Sequence, residues 1–180
     1  MNLRIPFLFV AFVATTFTTA RAQQPATLED LQAARNSRVA LVVAINRNEM
    51  PVARALQQLR APGKSNGSGQ AQDVDQAYAA LDVGHRLLAV DRPDAAEDFF
   101  RVAEQDFDQA AKRTPPGQAR EKARYLRELA LVRGRYLNKA AQAKADIDEA
   151  IRLQPDDKNL KDFRGALARG RGEFFKDPQG

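Results

Sequence analysis

The sequence contains no cysteine and no tryptophan, and His85 is its single histidine among 180 residues. Without cysteine there can be no disulfide, no zinc site with cysteine ligands, no thiol nucleophile and no cysteine-linked lipid anchor. One histidine excludes a metal site built from several histidines, and a serine triad would have to use His85. The usual groups of a catalytic site are therefore nearly absent. We expect a protein that is not an enzyme and that holds no metal and no cofactor.

The N-terminal segment has few charges, since Arg4 is the only charged residue among the first 20. Ten apolar residues follow it at 5–14, and Ala20-Arg21-Ala22 provides the small residues of a cleavage site. This pattern predicts a signal peptide over 1–22. The apolar run is shorter than the roughly 20 residues of a membrane span, although an uncleaved anchor is an open alternative. We expect an exported protein, periplasmic or secreted.

The chain also lacks a strong charge of one sign. Its 28 basic and 23 acidic residues give a net charge of +5. Cleavage would remove Arg4 and Arg21 from the basic residues, so the charge of the remaining chain would be about +3. A balance this mild does not favour a nucleic acid partner.

The alternation of apolar and polar residues that is typical of β-strands is not sustained anywhere, whereas apolar residues recur every three or four positions. This periodicity predicts an all-α fold. A capping box formed by Thr27 and Asp30 opens the first helix, and Pro51 suits the first position of the second. Helices are predicted over about 27–46, 51–60, 71–90, 93–112, 118–137, 139–153 and 157–175.

Glycine, serine and proline divide the chain. Residues 61–70 are rich in glycine and serine, which predicts a flexible linker. This linker separates an N-terminal helical hairpin over 23–60 from everything after it. The other connections are short, and short connections between long helices predict antiparallel hairpins. Whether the N-terminal hairpin docks onto the rest of the chain is left open by the sequence.

Two of the predicted helix pairs repeat each other at a spacing of 47 residues. Ala96, Phe100 and Ala103 in the first pair correspond to Ala143, Ile147 and Ala150 in the second. The small residues would let two helices approach closely, and the larger residue between them would fill the remaining space. The residues predicted to carry this packing are Gly84, Ala96, Phe100, Ala103, Ala143, Ile147, Ala150 and Pro155.

Residues 81–89 and 93–103 resemble a tetratricopeptide repeat (TPR), and residues 147–157 (Ile-Asp-Glu-Ala-Ile-Arg-Leu-Gln-Pro-Asp-Asp) are similar to the end of the second helix of that repeat. The resemblance covers 72–157 and implies antiparallel hairpins stacked as a short α-solenoid. The family's period is about 34 residues, so the spacing here implies an insertion near 108–120. Gly134 matches the family's first helix only if the following turn is about three residues short.

Two further expectations concern the two ends of the chain. Residues 27–60 are a candidate degenerate third repeat. Phe163, Leu167, Gly170 and Phe174 form one apolar stripe, which predicts a capping helix and tail over 157–180. A basic amphipathic membrane helix is the alternative interpretation of this last helix, and an unrelated helical bundle is the alternative to the repeat.

The three tyrosines lie on the predicted first helices of the two repeats. By resemblance, these helices line a groove that binds an extended peptide or a partner's helix. Tyrosine and arginine are common anchors of protein interfaces, because they combine a large contact area with a polar end. The predicted partner-binding residues are Tyr78, Leu81, His85, Leu88, Tyr125, Glu128, Val132, Arg135 and Tyr136.

The sequence therefore predicts an exported, non-enzymatic adaptor or scaffold that binds another protein. Two alternatives stay open. The chain would be a structural repeat module that associates with itself, forming a homo-oligomer, or a helical protein that binds a small ligand near His85. Neither a nucleic acid partner nor stable insertion into a membrane is expected after cleavage.

Overall fold

The computed structural model describes residues 28–60 and 70–169. Within these residues every regular element is helical and no strand occurs, which confirms the predicted all-α class. The elements are α1 (Leu28–Asn46), α2 (Val52–Arg60), α3 (Gln70–Ala89), α4 (Pro93–Arg113), α5 (Ala119–Leu131), a π-helix (Val132–Tyr136), α6 (Ala140–Leu153) and α7 (Lys158–Arg169).

The predicted helix limits agree with the observed ones to within about two residues where the structure describes them. The helix predicted over 118–137 consists of α5 followed directly by the π-helix. Asp157 caps α7, since its Oδ1 accepts hydrogen bonds from the backbone N–H groups of Asn159 (2.8 Å) and Leu160 (3.4 Å). The predicted signal peptide, the linker residues 61–69 and residues 170–180 lie outside the described residues.

Helices α3 and α4 form an antiparallel hairpin. The ring of Tyr78 meets Phe107 edge-on, with centroids 5.0 Å apart, and His85 lies 5.7 Å from Phe100. These contacts advance along α3 while they recede along α4. The closest approach is at Gly84, where an added Cβ would lie 2.6 Å from Cε1 of Phe100. Any side chain at this crossing would force the ring of Phe100 to shift.

Helix α5 with the π-helix that continues it, and α6, form the second antiparallel pair. Arg133 reaches Asp146 at 2.9 Å, and a Cβ on Gly134 would lie 3.3 Å from Cβ of Ala143. The connections of the two pairs, residues 90–92 and 137–139, have the same length. Each contains one residue with positive φ, Asp91 at 58° and Asn138 at 52°, and aspartate and asparagine tolerate this conformation best among residues with a side chain. The two residues lie 47 positions apart. The shortened turn required by the match at Gly134 is therefore not observed.

The extra length near 108–120 is largely helix. Helix α4 has 21 residues and α6 has 14, and both begin at positions 47 apart. Helix α4 therefore continues for about two turns beyond the point that corresponds to the end of α6. Residues 114–118 form the connection to α5, where the hydroxyl of Thr114 donates to the backbone oxygen of Ala110 (2.7 Å).

The N-terminal helices dock onto the first pair. Nε of Arg38 donates to Oδ2 of Asp82 at 2.8 Å, and Nη1 of Arg92 donates to the backbone oxygen of Ile45 at 3.0 Å. These contacts advance in the same direction along both segments, so α1 runs parallel to α3. Helix α2 also contacts α3 and α4. The question that the sequence left open is answered by these contacts.

One continuous apolar core runs from α1 to α7. The predicted packing residues belong to it or border it, with one exception. Gly84, Ala96, Phe100, Ala103, Ala143, Ile147 and Ala150 are all buried. Pro155 is exposed, because it follows the last turn of α6 and ends the helix instead of packing in the core. Of the predicted stripe on α7, Phe163 and Leu167 are half-buried against the core, while Gly170 and Phe174 lie outside the described residues.

Candidate protein-binding face and an adjoining pocket

Three aromatic side chains join the two helix pairs. The ring of Tyr136 stacks on Phe100, with centroids 4.1 Å apart and the planes 15° from parallel. Its hydroxyl hydrogen-bonds with Nε2 of His85 at 2.8 Å. Tyr136 ends the π-helix, in which Leu137 N–H donates to Val132 O five residues back (3.2 Å). This wider turn changes the direction of the side chains that follow α5, and it lets one residue contact both α3 and α4.

The electrostatics of this junction favour neutral groups. Burial lowers the pKa of His85 from its ordinary value of 6.5, the nearby Arg135 lowers it further, and Asp82 opposes them in part. Burial also raises the pKa of Tyr136. The guanidinium of Arg135 lies 5.5 Å from the centroid of the Tyr136 ring, within the range of a cation–π contact. His85 is therefore predominantly uncharged near neutral pH, and the positive charge of the junction resides on Arg135.

Four of the nine predicted binding residues are corrected by their burial. Val132 is 0% exposed, and Leu81, Tyr125 and Glu128 are 7–8% exposed. They pack between helices, and Glu128 also forms an ion pair with Arg127. Their spacing correctly puts them on a helix face, but that face points inward at these positions because neighbouring helices cover it. They offer almost no surface to a partner.

The other five predicted binding residues retain accessible surface. Tyr78 is 38% and Leu88 is 41% exposed, His85 is exposed, and Arg135 and Tyr136 are half-buried. We call this set the aromatic strip: Tyr78, His85, Leu88, Arg135 and Tyr136. The strip follows α3 and continues onto the π-helix at the hydrogen bond between His85 and Tyr136. The side-chain hydrogen bond that the structure shows for His85 is the one with the hydroxyl of Tyr136.

A group of charged residues beneath the junction was not foreseen from the sequence. Arg133 donates to Glu104 through Nε (2.9 Å) and to both carboxylate oxygens of Asp146 through Nη1 (2.9 Å each). Lys139 also binds Glu104, at 2.6 Å. We call Glu104, Arg133, Lys139 and Asp146 the ionic cluster. It joins α4 to the π-helix, the following connection and α6. The 47-residue repeat did carry a signal for this cluster. It aligns Asp146 with Phe99, whose side chain is fully buried, so a carboxylate at that position needs a partner.

Burial and pairing act against each other in the ionic cluster. Burial raises the pKa of Glu104, but the hydrogen bonds from Lys139 and Arg133 outweigh it, so the net shift is downward. At Asp146 burial prevails over the pairing with Arg133, and the pKa is raised. Glu104 is therefore the more strongly compensated of the two carboxylates. Among the described residues, no group of three or more His, Cys, Asp or Glu side chains is arranged to hold a metal ion.

A pocket of about 980 Å³ opens between the π-helix, α6 and α7. The sequence did not predict it, because its walls come from three elements whose relative placement is set by tertiary packing. We call it the C-terminal pocket. Its lining is Gly134, Arg135, Tyr136, Asn138, Ala140, Ala143, Lys144, Ile147, Lys161, Arg164, Gly165, Leu167 and Ala168. Arg135 and Tyr136 thus border both the pocket and the aromatic strip.

Over the part of the chain that the structure describes, no helix is long and apolar enough to cross a membrane. No protein-family model, no curated protein and no solved structure matches this chain with significance.

Proposed function

We propose that this chain is a non-enzymatic adaptor that binds a segment of a partner protein on the aromatic strip. The observation that carries the proposal is the contact between His85 and Tyr136, which joins exposed apolar and aromatic surface on two helix pairs. Arg135 lies at the same place and has no carboxylate partner among residues 28–60 and 70–169. A partner segment would bury the strip and supply the carboxylate.

The chemistry of the strip suits protein recognition. Tyr78 and Tyr136 offer large rings of low conformational freedom. The exposed side chain of Leu88 adds aliphatic surface. Because His85 is mostly neutral near pH 7, covering it costs less than covering a charged imidazolium. Arg135 at the edge of the apolar surface would fix the orientation of an acidic group on the partner.

A TPR-like stack of hairpins is part of the same proposal. Its support is the direction of the first helices of each pair. Arg38 pairs with Asp82, and Ile45 pairs with Arg92, so α1 and α3 run the same way. His85 lies beside Tyr136, and the charge of Glu128 acts on Tyr78, so α3 and α5 also run the same way. Parallel first helices are what a stack of repeated hairpins requires, and the α1–α2 segment and α7 would then be a degenerate repeat and a cap.

Export through a signal peptide over 1–22 also belongs to the proposal. The test is the mass of the protein recovered from the cells that encode it. A mass matching residues 23–180 in the extracytoplasmic fraction is expected. A full-length mass in a membrane fraction would replace the cleaved peptide with an uncleaved anchor.

The adaptor function is tested by placing a photo-reactive amino acid at position 88, in the centre of the strip. The matched control places it at position 101, because the Arg101 side chain is also well exposed but lies on α4, where it pairs with Glu97. Both proteins are irradiated in the native cell envelope and their adducts identified by mass spectrometry. We expect an adduct with another protein from position 88 that is absent from position 101 and is lost in R135Q.

Two results would contradict the adaptor. The same adducts from both positions would show that the strip is not selective. An adduct whose only component is a second copy of this chain would favour the self-associating module.

A further inference from the structure

The floor of the C-terminal pocket is built from small and aliphatic residues. Gly134 and Ala143 bring the π-helix and α6 together, and a Cβ on Gly134 would also lie 3.2 Å from Cδ2 of Leu167 on α7. Ile147 is fully buried behind them. The volume of about 980 Å³ is at the upper end of the roughly 300–1,000 Å³ found for small-molecule sites. There is room for an apolar group of substantial size.

The charged side chains that line the pocket are all cations. They are Arg135, Lys144, Lys161 and Arg164, and no acidic residue belongs to the lining. Lys144 and Arg164 share Asp148, each at 2.7 Å. Arg135 and Lys161 have no carboxylate partner within the described ranges. The pocket therefore carries uncompensated positive charge beside an apolar floor, and it is complementary to an anion with an apolar body.

The hydrogen-bonding groups of the lining distinguish between an acidic peptide and an aliphatic carboxylate as the anion that binds. The four cations are donors only. The side-chain acceptors are the amide of Asn138 and the hydroxyl of Tyr136, and the latter already bonds to His85. A peptide entering the pocket would bring a backbone N–H at nearly every residue, and most would lose water without gaining an acceptor. An aliphatic carboxylate has acceptors at one end and no donor when it is ionised.

We propose that the C-terminal pocket binds a free single-chain fatty acid, with the carboxylate at Arg135 and Lys161 and the hydrocarbon chain against the accessible lining at Gly134, Ala140, Leu167 and Ala168. This site goes beyond the adaptor function and does not depend on it. It shares Arg135 and the π-helix with the aromatic strip, but its other residues lie on α6 and α7, whereas those of the strip lie on α3.

The probe is dodecanoate, titrated into the full-length protein by calorimetry below its micelle concentration. Dodecyltrimethylammonium, with the same chain and the opposite charge, is the matched ligand. We expect saturable binding of dodecanoate with a stoichiometry of one and at least tenfold weaker binding of the cation. The backbone amide signals of Ala143 and Gly165 in NMR spectra should shift with dodecanoate.

Three variants locate the site. K161Q should weaken dodecanoate binding about tenfold, since it removes one charge-assisted hydrogen bond. K158Q makes the same change of charge on α7 but does not line the pocket, so its affinity should be unchanged. A140F inserts a ring from an exposed lining position and should abolish binding without replacing a buried side chain. Circular dichroism of each variant checks that the helices remain.

The proposal is overturned by equal affinity for the two amphiphiles, by equal effects of K161Q and K158Q, or by the absence of dodecanoate binding. Binding that emerges only after F174S and F175S would also overturn it, because it would assign the pocket to the chain's own C-terminal residues. A photo-adduct at position 88 is unaffected by any of these results, so the two proposals fail separately.

Discussion

The two helix pairs have helices and connections at corresponding positions but differ in the side chains that pack between their helices. Helices α4 and α6 begin 47 residues apart, and the left-handed residues Asp91 and Asn138 are separated by the same interval. The first pair is packed with aromatic rings, among them the fully buried Phe99 and Phe107. In the second pair, Asp146 of the ionic cluster stands at the position of Phe99. A repeated backbone arrangement can thus be filled by apolar packing in one copy and by paired charges in the next.

The difference has a consequence for the surface. The large rings of α4 fill the space beneath α3, where Gly84 lies against Phe100. The buried residues of α6 are two alanines and one isoleucine, and the C-terminal pocket opens beside this helix. The aromatic strip lies where the two kinds of filling meet. Both candidate sites therefore arise from unequal packing of two similar pairs.

The largest expected effect comes from breaking the ionic cluster. R133Q removes the partner of Asp146 and one partner of Glu104, leaving poorly solvated carboxylates. We expect a loss of about 3 kcal/mol in the free energy of unfolding, at the low end for a buried pair. The measurement is urea unfolding followed by circular dichroism at pH 7.

The control for this variant is R101Q. It breaks the exposed pair of Arg101 with Glu97 on α4 and should cost less than about 1 kcal/mol. Equal losses in the two variants would mean that the second pair does not depend on its charges.

Gly84 and Gly134 allow the tightness of packing in the first and second helix pairs to be compared. G84A would drive a methyl group into the Phe100 ring at 2.6 Å, whereas G134A meets Ala143 and Leu167 at 3.3 and 3.2 Å. Both variants gain about 1 kcal/mol of helix propensity in the same way. We expect G84A to be less stable than G134A by about 1–3 kcal/mol because of overpacking. Thermal and urea unfolding of the two proteins give the difference, and equal stabilities would contradict the tight crossing.

Asp106 tests whether the first pair tolerates a charge as the second does. Burial raises its pKa to about 6, against the attraction of Arg60, and its Oδ2 has no hydrogen-bond partner among the described residues. The folded state thus holds this proton more tightly than the unfolded state, so the carboxyl destabilises the fold increasingly as pH rises from about 4 to 6. D106N should stabilise the protein by about 1–2 kcal/mol at pH 8 and have little effect near pH 4.

The measurement is urea unfolding at both pH values, with D98N as the control because Asp98 is exposed on the same helix. A pH-independent effect of D106N would rule out the buried charge as its cause.

The smallest effect concerns the junction of the two pairs. Because His85 is the only histidine, its pKa can be followed from a single pair of ring signals by NMR. R135Q should move that pKa upward toward 6.5, since it removes the cation but leaves the burial that lowers it first. R101Q should leave it unchanged. A lowered folded-state pKa means that the contribution of His85 to stability is present above pH 6.5 and is lost as pH falls through that pKa. An unchanged pKa in R135Q would separate Arg135 from the junction.

Much of the helical framework was predictable because its signals are local. Pro93 begins α4 and Pro155 follows the end of α6, and Asp157 caps α7 through its own side chain. The three- and four-residue spacing of apolar positions is a property of the helix itself. The burial of Phe100 and Ile147 was predictable because each lies between two small residues. Small residues let two helices approach closely, and the larger side chain between them then fills the space.

The candidate site was predicted only in part, for reasons that involve distance along the chain. Spacing put Tyr78, Leu81 and His85 on one face of α3, but only packing against other helices decides which of them stays accessible. The same applies to Val132, which is fully enclosed one turn before Tyr136. The C-terminal pocket and the ionic cluster each require side chains from at least three segments, so no single segment predicts them.

The sequence by itself determined the helices, their ends and the 47-residue interval, because hydrogen bonding, capping and proline geometry act within a few residues. Tertiary structure alone decided that α1 and α2 dock through Arg38 and Arg92, that the π-helix directs Tyr136 onto Phe100, and that α7 leaves a cationic pocket beside α6. The physical reason is that burial and charge pairing depend on which surfaces meet, and the hydrogen bonds of Arg38, Arg92 and Tyr136 join residues 44–51 positions apart.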